Sequence, residues 1–354
     1  MRKTASYLSL LFFVLFFSFY HSDLSAKSFG PKKHWQEQLG VRAMGIDVDK
    51  IEIFDQVTQK TIEQERVYFG GSNGVLYCYE LEGETLRLVW EYQAPAAIIG
   101  VEVDKDHRIY FSSTYESLEG ASEAPKGRLF CLNKDGEEQW TVPLNKQVWR
   151  VITNKKDQIY CVLHQPKENS KDHCKGEGYV VCFKPTGDKQ WEKKMPGAVY
   201  GCDTYDDKGI FFGTYTGDVY HLGILGDLEA KYSLTENKIK GLKVEISRGL
   251  LESWNRFYCG SEDGNLYCFD FEKKKKEWVA PVGDTVRAVS LDRSQHYVYV
   301  SADDGHIYVY SGYSGNKVGT FYHGDKVYSM AVSDGRVYYS TEDSFFLISD
   351  LVEK

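Results

Sequence analysis

Short runs of alternating apolar and polar residues, rich in Tyr, Phe, Val and Ile, recur along the chain. Each is followed by a turn signal and a second such run. Alternation with period two over a handful of residues predicts half-buried β-strands. The unit is plainest in "RVYFGGSNGVLYCYE" (66–80), "RFYCGSEDGNLYCFD" (256–270) and "YVYVSADDGHIYVYS" (297–311), where Asn-Gly or Asp-Gly joins the two strands. It returns as "RIYFSS" with "GRLFCLN", as "QIYCVL" with "GYVVCFK", as "GIFFGTYTGDVYHLG" and as "RVYYSTEDSFFLIS", making seven copies. The equivalent positions Cys78, Cys131, Cys182, His221, Cys268, Val309 and Ile348 lie 39 to 53 residues apart. A β-rich repeat of this length predicts a propeller with one four-stranded sheet per repeat.

The two remaining strands of each unit are also visible. One ends in an aromatic residue: Trp90, Trp140, Trp191, Tyr232, Trp278 or Phe321. Shortly after it begins another apolar run, "IIGVEV", "VWRVIT", "VYGCDT", "IKGLKV", "VRAVSL" or "VYSMAV", read as the innermost strand of the next blade. Its third position is small in most copies (Gly100, Gly201, Gly241, Ala288, Ser329), as strands converging on an axis require, but Arg150 holds that place in one. The preceding position reads Arg42, Ile99, Trp149, Tyr200, Lys240, Arg287 and Tyr328, a ring expected around the channel mouth. The last repeat lacks a fourth strand. "HWQEQLGVRAMGI" (34–46) copies "EWVAPVGDTVRAV" (277–289), so residues 34–39 are expected to supply that strand and remove an open edge. The expected fold is an all-β, seven-bladed β-propeller over residues 27–354, its last blade closed by an N-terminal strand.

Residues "LFCLNKDGEEQW" (129–140) and "VVCFKPTGDKQW" (180–191) place Gly136 and Gly187 four residues before Trp140 and Trp191. This pattern resembles the PQQ-like (quinoprotein-like) β-propeller repeat family, and the likeness extends over roughly residues 34–350. The resemblance implies tryptophans packed between blades. It also implies one of two roles: a quinone-dependent dehydrogenase, or an exported non-enzymatic scaffold such as an outer-membrane assembly lipoprotein. The enzymes usually have eight blades and a vicinal cysteine pair, and no Cys-Cys dipeptide occurs here. The scaffold lipoproteins carry a lipid-bearing cysteine, and no cysteine precedes Cys78.

The N-terminus bears on where the chain acts. Arg2 and Lys3 precede an apolar run from about Tyr7 to Tyr20, followed by Ser25 and Ala26. That is the layout of a secretory signal, read as residues 1–26 with cleavage after Ala26, giving a periplasmic or secreted protein. Retention as an anchor is the rival, though the run is short for a span. After cleavage no transmembrane domain is expected, and a monomer is expected. The formal net charge of −8 leaves no global basic footprint for nucleic acid.

Candidate chemistry is sparse. No nucleophile elbow, phosphate-binding glycine loop or zinc-protease motif occurs, so no catalytic residue is assigned. No metal site or cofactor is assigned either. His164, His173 and Cys174 match no zinc spacing, and the acidic stretches 47–55 and 203–209 lack the EF-hand pattern. The repeated cysteines read as small apolar filler. Cys259 with Cys268, and Cys161 with Cys182, are possible disulfides, and a two-residue Asp263-Gly264 turn would set Cys259 facing Cys268. A three-residue bulged turn would put them on opposite faces. Binding has a better candidate. Arg42, Trp149, Arg150, Tyr200, Lys240, Arg287 and Tyr328 form a cationic and aromatic rim, beside insertions at 114–127 and 164–178 in neighbouring blades. The expected function is therefore an exported protein-binding or envelope-assembly scaffold. A quinone- or metal-dependent oxidoreductase and a sugar, glycan or peptide receptor are the alternatives.

Overall fold

A computed structural model of the chain describes residues 29–38, 40–55, 59–114, 127–166, 176–248, 253–292, 296–341 and 345–353. The expected signal at 1–26, most of both rim insertions, and His173 and Cys174 lie outside them. All regular structure among the described residues is β. The N-terminal strand is β1 (Phe29–Gln38). The first four-stranded sheet holds β2 (Ala43–Asp55), β3 (Lys60–Gly71), β4 (Val75–Glu82) and β5 (Thr85–Gln93). The second holds β6 (Ile98–Val103), β7 (Ile109–Thr114), β8 (Gly127–Leu132) and β9 (Glu138–Leu144). The third holds β10 (Gln147–Thr153), β11 (Ile159–Pro166), β12 (Gly176–Phe183) and β13 (Lys189–Met195). The fourth holds β14 (Val199–Thr204), β15 (Gly209–Thr214), β16 (Asp218–Gly223) and β17 (Leu228–Ser233). The fifth holds β18 (Ile239–Arg248), β19 (Ser253–Ser261), β20 (Asn265–Asp270) and β21 (Lys275–Pro281). The sixth joins β22 (Val286–Asp292), β23 (Tyr297–Ala302), β24 (His306–Ser311) and β25 (Lys317–Tyr322) to β26 (Val327–Ser333), β27 (Arg336–Thr341) and β28 (Phe345–Glu353).

The fold is an all-β propeller, but its sheets number six and not the seven expected. The difference comes from β1. It pairs antiparallel with β28 from Phe29↔Glu353 to Gln38↔Phe345, and Phe29 also bridges in parallel to Gly319 of β25. The last two repeats thereby fuse into one eight-stranded sheet in the order β22-β23-β24-β25-β1-β28-β27-β26. The inner strands β2, β6, β10, β14, β18, β22 and β26 follow one another around the axis, and β26 returns to β2. The closing strand is longer than the expected 34–39, and Trp35 on it meets Tyr79 of the first sheet edge-on at 5.8 Å. Residues 50–55 and 60–65 prolong β2 and β3 into a ribbon paired out to Asp55↔Lys60.

Adjacent sheets are locked by one recurring contact. The hairpins joining the third and fourth strands turn at Gly136, Gly187, Gly226 and Gly315, all with φ between 70° and 86°. Each glycine faces the tryptophan of the preceding sheet. A Cβ on Gly136 would stand 2.9 Å from Trp90, on Gly187 3.2 Å from Trp140, on Gly226 2.9 Å from Trp191 and on Gly315 2.6 Å from Trp278. The same indoles donate Nε1–H to carbonyls in those turns: Lys134 at 3.2 Å, Pro185 at 2.9 Å, Ile224 at 2.8 Å and Gly312 at 3.3 Å. Fully buried Tyr68, Tyr110, Tyr160 and Tyr258 lie beneath the four indoles.

The possible disulfides are corrected. The seven described cysteines are buried free thiols. The Ser261 to Gly264 turn closes with Gly264 N–H on Ser261 O at 3.3 Å and Gly264 at φ 77°, leaving a three-residue loop with a bulge. Cys259 therefore opposes Tyr267, while Cys268 opposes Tyr258. Since side chains alternate across the sheet, the two sulfurs enter different cores. Likewise Cys161 opposes Val181 and Cys182 opposes Tyr160.

Candidate functional site: the mouth of the axial channel

Every inner strand departs from regular pairing at the same place. The register skips between Ala43 and Gly45, Ile98 and Gly100, Val148 and Arg150, Val199 and Cys202, Ile239 and Gly241, Val286 and Ala288, and Val327 and Ser329. A bulge leaves a residue outside the ladder and re-aims its side chain. The bulged residues are Met44, Ile99, Trp149, Tyr200 (with Gly201), Lys240, Arg287 and Tyr328. Together with Arg150 and Glu262 they line a cavity of about 290 Å3.

Six of the seven expected rim residues thus come together, and one is corrected. Arg42 is not the equivalent position in the first sheet; Met44 is. Arg42 precedes β2, is exposed, and approaches the rim by stacking its guanidinium on the Tyr328 ring at 5.1 Å. Arg287 stacks on the same ring at 5.3 Å. Trp149 meets Tyr200 edge-on at 4.9 Å and His164 at 5.2 Å.

Most of the rim charge is neutralised within the structure. Arg287 donates two hydrogen bonds to Asp303, one of them at 2.9 Å. Lys240 and Lys238 hold Glu262 at 2.8 and 3.3 Å, and these cations keep the Glu262 carboxyl ionised despite its partial burial. Glu262 and Asp303 were missed by the sequence reading, although each sits in a hairpin turn two residues before its glycine. Arg150 has no such partner among the described residues. It lines both the rim cavity and a larger channel of about 690 Å3 beneath it.

Asp47 and Glu102 line the channel at equivalent positions of β2 and β6, and Asp203 holds the matching position of β14. Asp47 accepts the Val103 N–H at 2.7 Å, Glu102 the Thr153 N–H at 3.1 Å and Asp203 the Val244 N–H at 2.8 Å. Each joins one inner strand to the backbone of the next. Desolvation pushes Glu102 up to about 8, with the nearby Asp47 charge adding to the effect, and pushes Asp47 up to about 6 against its two backbone hydrogen bonds. Lys243 opposes both shifts. Asp47 and Asp203 are the first residues of the acidic stretches 47–55 and 203–209. A separate acidic group, Asp104, Asp106 and Asp157, is occupied by protein cations: Arg108 on Asp104 at 2.7 Å and Asp106 at 2.9 Å, and Lys105 on Asp157 at 2.9 Å.

The stems of both insertions stand beside the rim. Thr114 hydrogen-bonds the Val148 backbone, and His164 pairs with Gln147. No described helix is long and apolar enough to cross a membrane.

Comparison with known proteins places this architecture. Among solved structures, the chain is similar to the WD40 β-propeller domain of Doa1, with TM-score 0.68 at 9% identity, covering 91% of this chain and 97% of that one. At that identity the likeness concerns the fold. No curated protein matches. The sequence profile described as "Outer membrane protein assembly factor BamB" matches residues 117–321. With more than half of its length under that profile, the chain belongs to this family of PQQ-like repeat propellers.

Proposed function

We propose that this protein is an exported, non-enzymatic scaffold that docks a protein partner on its rim face, in envelope assembly or a related task. The observation carrying the reading is the rim cavity, where seven bulges aim Trp149, Tyr200, Tyr328, Lys240 and Arg287 at one mouth. Tyr, Trp and Arg are the types that dominate binding hot spots. The description of the family as an outer-membrane assembly factor supports the role. Export is supported by Arg2, Lys3 and the apolar run that follows. The fused sheet reads as two four-stranded repeats joined through β1, which keeps the count of radial units at seven. The insertions at 114–127 and 164–178 would extend the docking face from their stems at the rim.

The test is capture of partners from the native host's envelope by the tagged chain. The double variant Trp149→Ala/Tyr328→Ala should lose specific capture at least about tenfold, as expected for removal of two hot-spot aromatics. Undiminished capture by a folded double variant would place the docking face elsewhere.

A further inference from the structure

The chemistry of the rim says more about what it binds. At the inner-strand position that holds Arg150, the other six copies carry Gly45, Gly100, Gly201, Gly241, Ala288 and Ser329. A long cationic side chain has entered a ring built for small ones. It stands where the rim cavity opens into the channel, lining both. Its neighbours are already committed: Lys240 to Glu262 and Arg287 to Asp303. No described carboxylate pairs with Arg150. Aromatic surface borders the site: Trp149 packs edge-on against Tyr200 at 4.9 Å, and Tyr328 lies under the Arg287 guanidinium at 5.3 Å.

We infer that the rim cavity binds a peptide carboxylate on Arg150, with an aromatic or apolar side chain of the peptide against Trp149 and Tyr328. This rests on the rim being the docking face. A guanidinium presents a planar fork that matches a carboxylate in two parallel hydrogen bonds. A phosphoryl dianion calls for several cooperating cations, and here Glu262 and Asp303 offset the nearest ones. The volume of about 290 Å3 suits one or two residues and not a folded surface. The carboxylate comes from a chain terminus or from an Asp or Glu side chain, and the two sources are separable.

The experiment is calorimetric titration of the full chain with four probes. They are acetyl-Gly-Tyr-Phe with a free C-terminus, the same peptide as its amide, acetyl-Tyr-Glu-Phe amide, and inorganic phosphate. At least one carboxylate peptide should bind, at least about tenfold more tightly than the acetyl-Gly-Tyr-Phe amide. Arg150→Ser, which restores the residue type found at Ser329, should keep the fold and abolish that preference. Arg150→Lys should retain part of it. The inference is overturned if the amide binds as well as both carboxylates, if Arg150→Ser keeps the preference, if phosphate outbinds both peptides, or if nothing saturates. Partner capture is read separately. Lost peptide preference with intact capture in Arg150→Ser would leave the docking reading standing and show that capture does not run through a carboxylate on Arg150. Intact preference in the wild type with no capture would do the reverse.

Discussion

Gly187 shows how much of this molecule turns on single residues. Its left-handed backbone (φ 85°) disfavours any Cβ, and the Trp140 indole would stand only 3.2 Å from one and have to give way by a few tenths of an ångström. Gly187→Ala should therefore lower stability by about 1–3 kcal/mol, through strain at a positive φ and displacement of the indole. Trp140→Ala should cost about 3–5 kcal/mol, since it removes both the packing and the Nε1–H bond to Pro185 O. Because the two residues are in contact, the double variant should cost less than the sum in urea denaturation. Full additivity would show that the indole and the turn do not act as one unit. The cysteines are a second residue-level case. Burial pushes the thiols of Cys78, Cys131, Cys182 and Cys202 up to about 12, so they stay protonated and shielded. Alkylation without reductant should label none of the seven described cysteines in the native protein and all seven in denaturant. Mass spectrometry showing fewer than seven labels after unfolding would reveal a disulfide that the register forbids.

At the scale of strands, β1 covers what would otherwise be an exposed edge of β28, pairing from Phe29 to Gln38. Deleting residues 27–40 should lower the melting temperature by more than about 10 °C or cause aggregation, because an uncovered edge is a template for other chains. An unchanged melting temperature would show the ring closes without β1. This strand was legible because Trp35 and the following "VRAM" repeat a motif found inside the chain. The inner strands were legible for a similar reason: their small third residue is dictated by crowding, and Gly100 sits with Val151 N only 3.0 Å from where its Cβ would be. The exact rim position was not legible in the first sheet. "VRAM" looks like "VRAV", yet the bulge falls at Met44 and not Arg42, because register is set by the partner strand, where Gly70 and Gly71 are the neighbours. The fusion of the last two repeats was also hidden, since it depends on the single bridge from Phe29 to Gly319. Whether paired cysteines faced each other hinged on turn type, and "EDG" closes the three-residue bulged form.

Across the whole molecule, the channel couples the inner strands to pH. Glu102 has its folded pKa raised above the usual value of 4.5, to about 8, chiefly by desolvation. The folded state therefore holds a proton that the unfolded chain releases between pH 4.5 and 8, and stability falls as pH rises through that window. The contribution is complete below the unfolded value and lost above the folded one. Glu102→Gln keeps an acceptor for Thr153 N–H and removes the titration. Melting curves should show the variant gaining on the wild type as pH rises from 5 to 8. A constant difference across that range would mean Glu102 is already ionised in the fold. The same geometry separates the ends of the axis, with aromatic and cationic groups at the mouth and carboxylates beneath. The most direct test of the mouth as the docking face is photo-crosslinking in the native envelope. A photoreactive residue replaces either Tyr328 at the rim or Lys134 in the turn beneath Trp90. Docking at the mouth should give a discrete crosslinked partner from position 328 and none from position 134. Crosslinks from position 134 with none from 328 would contradict it.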